Sequence, residues 1–334
     1  LEDEPRFDYS GGATCPSLLL EPSRTQLIGN SELINPTIDT TWKQVGVNTF
    51  TNNYGISPDG SKNSTLIQFG GTNSSFQVYY QAAVTANSHT ISIYAKGSGS
   101  FKLGIYDNTS ILTDTITLSS EWQRFEITKT TAATSAARCV WLYPNGDGDT
   151  IEVWGAQTEQ GSYPTSYIPN HSGGTITRGE DFMSQSSNAA NFNDSEGTIF
   201  FDGVLFDNAS SAVMAGVDSG SFNDRIRFDR FNTDLRFIAT KDGSTLFSQN
   251  DIMDLPAGTR YKIAARYKAN DYALYVNGVS VYTNTSVGTW DSGDLVRFAF
   301  SEGNNNSPTE ANVNQALYFP IGLSNADLVT LTTI

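Results

Sequence analysis

Hydrophobic and polar residues alternate with a period of two in many short runs of this chain, and Gly, Asn, Asp, Ser and Thr cluster between the runs. Such alternation places one face of a β-strand in a core and the other in solvent. It predicts strands at residues 76–84, 89–96, 100–106, 122–128, 137–143, 150–157, 197–206, 224–230, 234–240, 259–268, 271–277, 294–301 and 316–322. Helical periodicity predicts one helix, at residues 324–331, with Ser324 as its N-cap. The pattern indicates all-β architecture in antiparallel sandwiches.

Residues 161–174 separate the two series of predicted strands. They hold two prolines and three glycines, which is typical of exposed, extended backbone at a domain boundary. A length of 334 residues agrees with two domains. The first 25 residues, with Pro5, Pro16 and Pro22, are predicted to form an extended arm that leads into the first domain.

Charge narrows the classes of partner. Lys and Arg number 20 against 35 Asp and Glu, so the net charge of −15 opposes binding to nucleic acid or to an anionic membrane surface. No apolar run approaches the ~18 residues of a membrane span. The start, LEDE, lacks the pattern of a signal peptide, and we expect it to be a cut within a longer chain. Cys15 and Cys139 either pair or form one buried and one loop thiol.

Several segments resemble known protein families. Residues 5–9 (PRFDY), 18–25 (LLLEPSRT) and 30–32 (NSE) are similar to the opening segment of many bacteriophage tail and other virion-associated proteins, except that Gln26 stands where those proteins usually have Asn. Residues 154–169 (WGAQTEQGSYPTSYIP) and 175–178 (TITR) resemble the end of the same module, a carbohydrate-binding-module-like jelly roll. In the second half, residues 261–267, 272–278 and 322–328 are similar to concanavalin A-like, laminin-G-type sandwiches.

This resemblance implies a domain plan and a setting for the protein. The plan is an extended arm at 1–25, a jelly roll at 26–170, a linker at 171–180 and a concanavalin A-like sandwich at 181–334. The setting is a virion, where a tail fibre or capsid appendage acts outside the cell and contacts other virion proteins. A homotrimer is compatible with that family.

The sequence carries no motif of a known catalytic site. A glycoside hydrolase on a concanavalin A-like fold needs two carboxylates on one strand face, and the pattern Glu-x-Asp-x-x-Glu is absent. The Gln-Ile-His signature of a sandwich-fold polysaccharide lyase is also absent, and His89 and His171 lie away from any Ser or Cys elbow. Since the P-loop, Gly-x-Ser-x-Gly and His-Glu-x-x-His motifs are missing too, we predict that the protein is not an enzyme.

Calcium is the one cofactor that the sequence suggests. Residues 145–152 (NGDGDTIE) form a Gly-rich turn with oxygen ligands that suit a hard cation, namely Asn145, Asp147, Asp149 and Glu152. The spacing is not that of an EF-hand, and an ordinary hairpin turn is the interpretation that we favour for these residues. The resemblance to jelly-roll sugar modules implies a structural calcium near the chain start and the last strand. It makes Glu32 and Glu152 secondary candidates for calcium ligands.

Three consecutive predicted strands carry a tyrosine on their polar face. Aromatic faces stack on the apolar side of a pyranose ring, while amides and charges bind its hydroxyls. We therefore predict a carbohydrate-binding surface formed by Gln77, Tyr79, Gln81, Tyr94, Lys96 and Tyr106. The alternative is that these tyrosines only pair across strands, as they do in ordinary antiparallel sheets.

The four tryptophans of the predicted jelly roll divide into two groups. Trp42, Trp122 and Trp154 are predicted to be packing residues. Trp141 alternates with Cys139 in the predicted strand 137–143, and the alternation leaves its role open.

Positive charge concentrates on two predicted strands of the second sandwich. Arg225 and Arg227 share one strand face, and a second face holds Arg260, Lys262, Arg266 and Lys268. Such faces could clamp a sulfated or uronic polysaccharide. Solvated faces paired with Asp224, Asp229 and Asp234 are the interpretation that we favour.

Taken together, these features predict non-catalytic recognition of a cell-surface glycan by a phage tail fibre or other virion appendage. A structural tail or capsid-decoration protein without glycan binding is the alternative from another class. A polysaccharide-degrading enzyme is the third reading. Nucleic-acid binding and membrane insertion are not expected.

Overall fold

The computed structural model describes residues 5–9, 15–70, 76–144, 150–181, 183, 189–206, 211–303 and 307–334. In chain order, the strands and the helix are β1 (Arg6–Asp8), β2 (Ser17–Leu20), β3 (Arg24–Gln26), β4 (Trp42–Val45), β5 (Thr49–Asn52), β6 (Thr65–Gln68), β7 (Gln77–Val84), β8 (Ser88–Gly97), β9 (Ser100–Tyr106), β10 (Ile111–Thr117), β11 (Gln123–Thr130), β12 (Thr134–Pro144), β13 (Thr150–Gln160), β14 (Ile176–Arg178), β15 (Glu196–Leu205), β16 (Ser211–Asp218), β17 (Arg225–Phe231), β18 (Asp234–Lys241), β19 (Ser244–Gln249), β20 (Arg260–Lys268), β21 (Tyr272–Val276), β22 (Val279–Asn284), β23 (Arg297–Ala299), β24 (Ala311–Phe319) and α1 (Asn325–Thr332). A short 3₁₀ turn covers Ala189–Asn191. The prediction of an all-β chain in antiparallel sandwiches is confirmed.

The chain divides into two compact units. One unit is Ser23–Gly179, which we call the jelly-roll unit. The other combines Leu1–Pro22 with Glu180–Ile334, and we call it the second unit. The jelly roll is thus inserted in the sequence of the second unit, between β2 and β15.

The jelly-roll unit consists of two five-stranded antiparallel sheets. Sheet I has the strand order β10-β9-β12-β7-β4, and sheet II has the order β11-β8-β13-β6-β5. The strands β7, β8 and β9 follow one another in the chain, yet β8 lies in the opposite sheet from β7 and β9. Their inward residues fill one core, which includes Trp42, Ile91, Phe101 and Cys139.

The chain begins and ends the jelly roll on one two-stranded ribbon. β3 pairs antiparallel with β14, with Thr25 opposite Thr177. Gln26, the last residue of β3, is fully buried: its Nε2 donates to the carbonyl of Ala156 at 2.9 Å, and its Oε1 accepts from the amide of Thr158 at 2.9 Å. The long Gln side chain therefore ties the start of the unit to β13.

The second unit is a sandwich of a seven-stranded and a five-stranded antiparallel sheet. The larger sheet, sheet III, has the order β1-β2-β24-β15-β20-β21-β22, and the smaller sheet, sheet IV, has the order β19-β18-β17-β16-β23. Phe201, Phe228, Phe237 and Tyr267 are among the buried residues of their shared core.

The first residues of the chain differ from the predicted arm. Residues 17–20 form β2, which pairs with β24 of the second unit, with Leu18 opposite Val313. Leu20 is buried in the core of that unit. A run of three leucines gains free energy by leaving water, and Pro16 and Pro22 limit the strand to the few residues between them.

Some strands were not predicted, because their residues do not alternate between apolar and polar. In β16, an interior strand between β17 and β23, every residue after Ser211 is buried. A strand covered on both faces reads as an apolar run without alternation. The helix is confirmed: Ser324 accepts a hydrogen bond from the amide of Asp327 at the start of α1.

The two cysteines do not form a disulfide bond with each other. Cys15 is exposed, Cys139 is buried, and both are free. Burial raises the pKa of the Cys139 thiol to about 12. Within the part of the chain that the structure describes, no helix has the length and hydrophobicity to cross a bilayer.

Asp107 fixes the turn after β9, next to Tyr106. Its Oδ1 accepts from the amide and hydroxyl of Thr109 and from the amide of Ser110 at 2.6–2.9 Å, and its Oδ2 accepts from the amide of Ala132 at 2.7 Å. Burial alone would raise the pKa of Asp107. The hydrogen bonds from Thr109, Ala132 and Ser110 outweigh burial and hold the pKa well below its usual range.

We expect Asp107→Asn to destabilise the jelly-roll unit by about 1–3 kcal/mol at pH 7, because an amide cannot accept all these bonds. The folded pKa lies below the unfolded value of about 4, so the carboxylate stabilises the fold above pH 4. That contribution is lost as the pH falls toward the folded pKa. Urea unfolding of both proteins between pH 7 and pH 3 should show the difference shrinking in acid. A constant difference across this range would contradict the assignment.

Candidate functional site

The outer face of sheet I brings together four of the predicted sugar-binding residues. Gln77, Tyr79 and Gln81 alternate along β7, while Val78 and Tyr80 between them point into the core. Tyr106 ends β9 on the same face. β12 lies between β7 and β9 and supplies the side chains that connect the two strands.

A β-bulge in β12 decides which of its side chains reach this face. Cys139 and Val140 are consecutive, yet both lie in the core, and Val140 has a φ of +45°. The pairing register with β7 shifts between Cys139 and Leu142. The extra residue reverses the alternation, so that Arg138 and Trp141 point to the same outer face. A β-branched residue at positive φ is strained, and strained residues cluster at active sites and ligand-binding sites.

Arg138 is the centre of the outer face. Its guanidinium carbon lies 4.8 Å from the ring centroid of Tyr79, 5.3 Å from that of Tyr106 and 5.7 Å from that of Trp141. In the sheet, Arg138 pairs with Gln81 on one side and with Tyr106 on the other. These cation–π contacts hold the guanidinium among three aromatic rings.

Gln77 fixes both the arginine and the tryptophan. Its Oε1 accepts from Nη1 of Arg138 at 3.0 Å and from Nε1 of Trp141 at 2.8 Å. Trp141 is only 3% exposed, although it points away from the core, because Arg138, Tyr106 and Tyr143 pack around it. Gln77 and Trp141 therefore form a rigid floor below the more exposed Tyr79, Gln81 and Tyr106.

Lys102 and Tyr143 extend the surface toward the other end of the strands. Tyr143 lies 5.2 Å from Trp141 between ring centroids, and Nζ of Lys102 lies 5.8 Å from the Tyr143 ring. We call the whole surface the arginine–aromatic face; it consists of Gln77, Tyr79, Gln81, Lys102, Tyr106, Arg138, Trp141 and Tyr143. Four of these eight residues were not predicted as site residues. Lys102 shares the outward phase of Tyr106 on β9, whereas Arg138, Trp141 and Tyr143 were missed because nothing in the sequence shows that β12 lies between β7 and β9.

The structure separates the other two predicted residues from this face. Tyr94 and Lys96 lie on the outer face of sheet II, because successive strands of the jelly roll alternate between sheets. The ring of Tyr94 is 5.4 Å from that of Trp154 and 6.3 Å from that of Tyr167. Tyr167 belongs to the segment 161–170, so this end of the unit covers Tyr94. The sequence therefore placed Tyr94 on the polar face correctly but not on one surface with Tyr79.

Lys96 is engaged by neighbours in the same sheet. Its Nζ lies 3.3 Å from a carboxylate oxygen of Glu152 and 4.8 Å from the ring centroid of Trp122. Trp122 is half-buried and donates to the carbonyl of Ile56 at 2.8 Å. Trp42 and Trp154 are buried, which confirms their predicted packing role.

The calcium prediction rests mostly on Asn145, Asp147 and Asp149, which lie outside the described residues. Glu152 is described, and it accepts from the hydroxyl of Ser64 at 2.6 Å as well as pairing with Lys96.

The secondary candidate Glu32 accepts from Tyr167 at 3.3 Å and from Asn63 at 3.1 Å. Burial raises the pKa of Glu32, His171 lowers it, and Asp59 raises it further. Across the described ranges, no group of three His, Cys, Asp or Glu side chains forms a metal-binding cluster.

The arginines of the cation-rich faces in the second unit form ion pairs with aspartate and glutamate side chains of the same chain. Asp229 is fully buried and accepts from Arg236 at 2.7 and 2.9 Å, and it lies 3.0 Å from Arg227. Arg227 also pairs with Glu302. On the larger sheet, Arg260 makes two bonds to Asp202 at 2.7 and 2.6 Å. Internal ion pairs therefore account for most of the charge that the sequence analysis noted there.

The chain matches no known protein-family description and no curated protein. It is similar in structure to Ruminococcus gnavus IT-sialidase CBM40 bound to alpha2,3 sialyllactose, with 13% identity, a TM-score of 0.39, and coverage of 46% of this chain and 97% of that one. It is also similar to the NanB sialidase of Streptococcus pneumoniae, with 13% identity, a TM-score of 0.37, and coverage of 43% of this chain and 25% of that one. A third similar structure is leech intramolecular trans-sialidase, with 14% identity, a TM-score of 0.35, and coverage of 42% of this chain and 24% of that one. Likeness at this level carries no inference about ligand or activity.

Proposed function

We propose that the jelly-roll unit binds a glycan, without catalysis, on the arginine–aromatic face. One observation carries this proposal: the bulge at Val140 turns Trp141 outward, and Arg138 then lies among three aromatic rings and next to the amide of Gln77. A sheet surface of rings with interleaved amide and guanidinium donors suits the apolar face and the hydroxyls of a sugar.

The arrangement also supports binding by a rigid surface. The floor residues Gln77 and Trp141 are buried and hydrogen-bonded to each other, whereas Tyr79 and Tyr106 stand part-exposed above them. A surface that is ordered before binding loses little conformational entropy on contact with ligand. The sequence supports binding rather than catalysis, since it lacks the Glu-x-Asp-x-x-Glu pattern of a glycoside hydrolase and the Gln-Ile-His signature of a polysaccharide lyase.

We further propose that this recognition serves host attachment by a phage tail fibre or other virion appendage. The support is the resemblance of residues 5–9, 18–25 and 154–169 to virion-associated proteins. Incubation of the full chain with candidate host cells, before and after enzymatic removal of surface polysaccharide, tests this setting. Attachment that persists after removal would argue for a protein receptor or for a structural role.

We expect Tyr79→Ala and Tyr106→Ala each to weaken glycan binding about tenfold, which corresponds to ~1.4 kcal/mol of lost ring stacking. A glycan array identifies a ligand, and calorimetric titration of the full chain then measures its Kd. Tyr54→Ala is the matched control, because Tyr54 is an exposed tyrosine of the same unit outside the face. Unchanged affinity in both face variants, or no glycan bound by the unaltered protein, would refute the proposal.

A further inference from the structure

We propose that the ligand of the arginine–aromatic face is an acidic saccharide, and that Arg138 binds the carboxylate of its sugar ring. This inference rests on the proposed function and names the class of glycan. It follows from the charge of the face, from the free donors of Arg138 and from the position of the two tyrosines.

The first argument is the local charge. The chain has a net charge of −15, yet the described side chains that point outward from sheet I are neutral or cationic. The cations are Lys43, Lys102 and Arg138; Lys43 lies directly opposite Tyr79 across the β4–β7 pair. An isolated positive face on an acidic protein complements an anionic ligand.

The second argument is that these cations are not paired within the described chain. No carboxylate among the described residues lies within 4.0 Å of the side-chain nitrogens of Lys43, Lys102 or Arg138. In the second unit, by contrast, Arg260 and Arg297 each make two bonds to one aspartate. The guanidinium of Arg138 therefore has the same forked pair of N–H donors that binds a carboxylate at Arg260 and Arg297, but no described carboxylate lies there.

The third argument is that Arg138 is ordered and still has donors to offer. Its Nη1 donates to Gln77 at 3.0 Å, and the rings of Tyr79 and Tyr106 lie on its two sides. The side chain is only part-buried, so the remaining N–H groups reach solvent. A carboxylate can therefore bind without reordering the arginine, which reduces the entropic cost of binding.

The position of the rings selects the kind of anion. A carboxylate bonded directly to a pyranose ring lies beside the apolar ring face. One sugar unit can then pair with Arg138 and stack on Tyr79 or Tyr106 at the same time. The guanidinium fork also accepts tetrahedral oxyanions, but a sulfate ester is held further from the sugar ring by its bridging oxygen. A sulfated sugar that pairs with Arg138 is therefore less well placed to stack on Tyr79 or Tyr106 at the same time. The assignment is therefore to a ring carboxylate, as in a uronic acid.

The test compares acidic polysaccharides with neutral versions of the same backbone. Polygalacturonate, alginate and hyaluronan are each used beside their carboxyl-reduced forms, with dextran and dextran sulfate as a further pair, and Kd is measured on the full chain. We expect at least one carboxylated polymer to bind roughly tenfold or more tighter than its reduced form. Arg138→Gln should remove this preference, Arg138→Lys should keep part of it, and Lys62→Gln, at an exposed lysine outside the face, should change nothing.

Each other outcome has a distinct meaning. Equal binding of a polymer and its reduced form, weakened by Tyr79→Ala, would overturn the acidic ligand but leave glycan binding in place. Binding of dextran sulfate alone would overturn the carboxylate assignment. Binding of no polymer, acidic or neutral, together with an empty glycan array, would overturn the proposed function itself. The comparison of each polymer with its reduced form uses the unaltered protein, so it stands even where an Arg138 variant folds poorly.

Discussion

Replacement of Glu159 by alanine is expected to lower the free energy of unfolding of the jelly-roll unit by about 3–5 kcal/mol. Glu159 lies on β13 and is fully buried. Its carboxylate accepts from the amide and hydroxyl of Thr165, both at 2.7 Å, and from Nε2 of Gln157 at 2.8 Å. Arg24 lies 3.7 Å away. Alanine would leave these buried donors without a partner, and that penalty exceeds the loss of the bonds alone.

The same change tests why sheet II is covered. Glu159 holds Thr165, and Gln157 accepts from the amide of Ile168 at 2.8 Å, so the two side chains fix the segment that carries Tyr167 over Tyr94 and Trp154. Urea unfolding followed by tryptophan fluorescence measures the effect. Glu121→Ala removes an exposed glutamate of the same unit and is the matched control. A loss for Glu159→Ala as small as that of the control would refute the structural role.

Replacement of Asp229 by alanine is expected to destabilise the second unit by about 3–5 kcal/mol. Asp229 is fully buried in sheet IV, where it accepts two bonds from Arg236 and contacts Arg227. Arg227 is itself buried at 5% exposure and keeps only Glu302 as a described anionic partner within 4.0 Å after the change. Two guanidinium groups in a poorly hydrated site would then repel each other.

This prediction decides whether the arginines of β17 serve internal ion pairs or form an anion-binding surface. Asp291→Ala is the matched control, because Asp291 pairs with Lys241 at 3.0 Å but is 79% exposed. An exposed pair contributes little to stability, so this control should unfold almost as the unaltered protein does. Thermal and urea unfolding of the three proteins measure the effect. Nearly equal stability of all three would show that Asp229 does not hold the arginines, and it would reopen this face as an anion-binding surface.

Strand phase alone predicted correctly which side chains of β7 leave the core. Val78, Tyr80 and Val84 are apolar and alternate with Tyr79 and Gln81, and in a strand this alternation fixes which side chains leave the core. The helix at the end of the chain was equally readable, because Ser324 is a good N-cap with Asp327 three residues later. Both features depend only on residues close together in the sequence.

The face of β12 on which Trp141 lies could not be predicted from the sequence around it. Strict alternation puts it on the same face as Cys139, but the bulge at Val140 puts it on the opposite one. A bulge is set by the register of the neighbouring strands, and β7 and β9 are far from β12 in sequence. The sequence also grouped Tyr94 with Tyr79 and Tyr106, because it orders strands along the chain and not between sheets.

The all-β class, the terminal helix, and the outward direction of Gln77, Tyr79, Gln81 and Tyr106 could all be predicted from the sequence. They are consequences of short-range periodicity and capping, which act within a few residues. Three features required the folded chain: β2 belongs to the second unit, Tyr94 lies on the other sheet, and Arg138 lies among Tyr79, Tyr106 and Trp141. These outcomes follow from long-range strand pairing, which buries apolar surface from distant segments in one core and has no signature within any single segment.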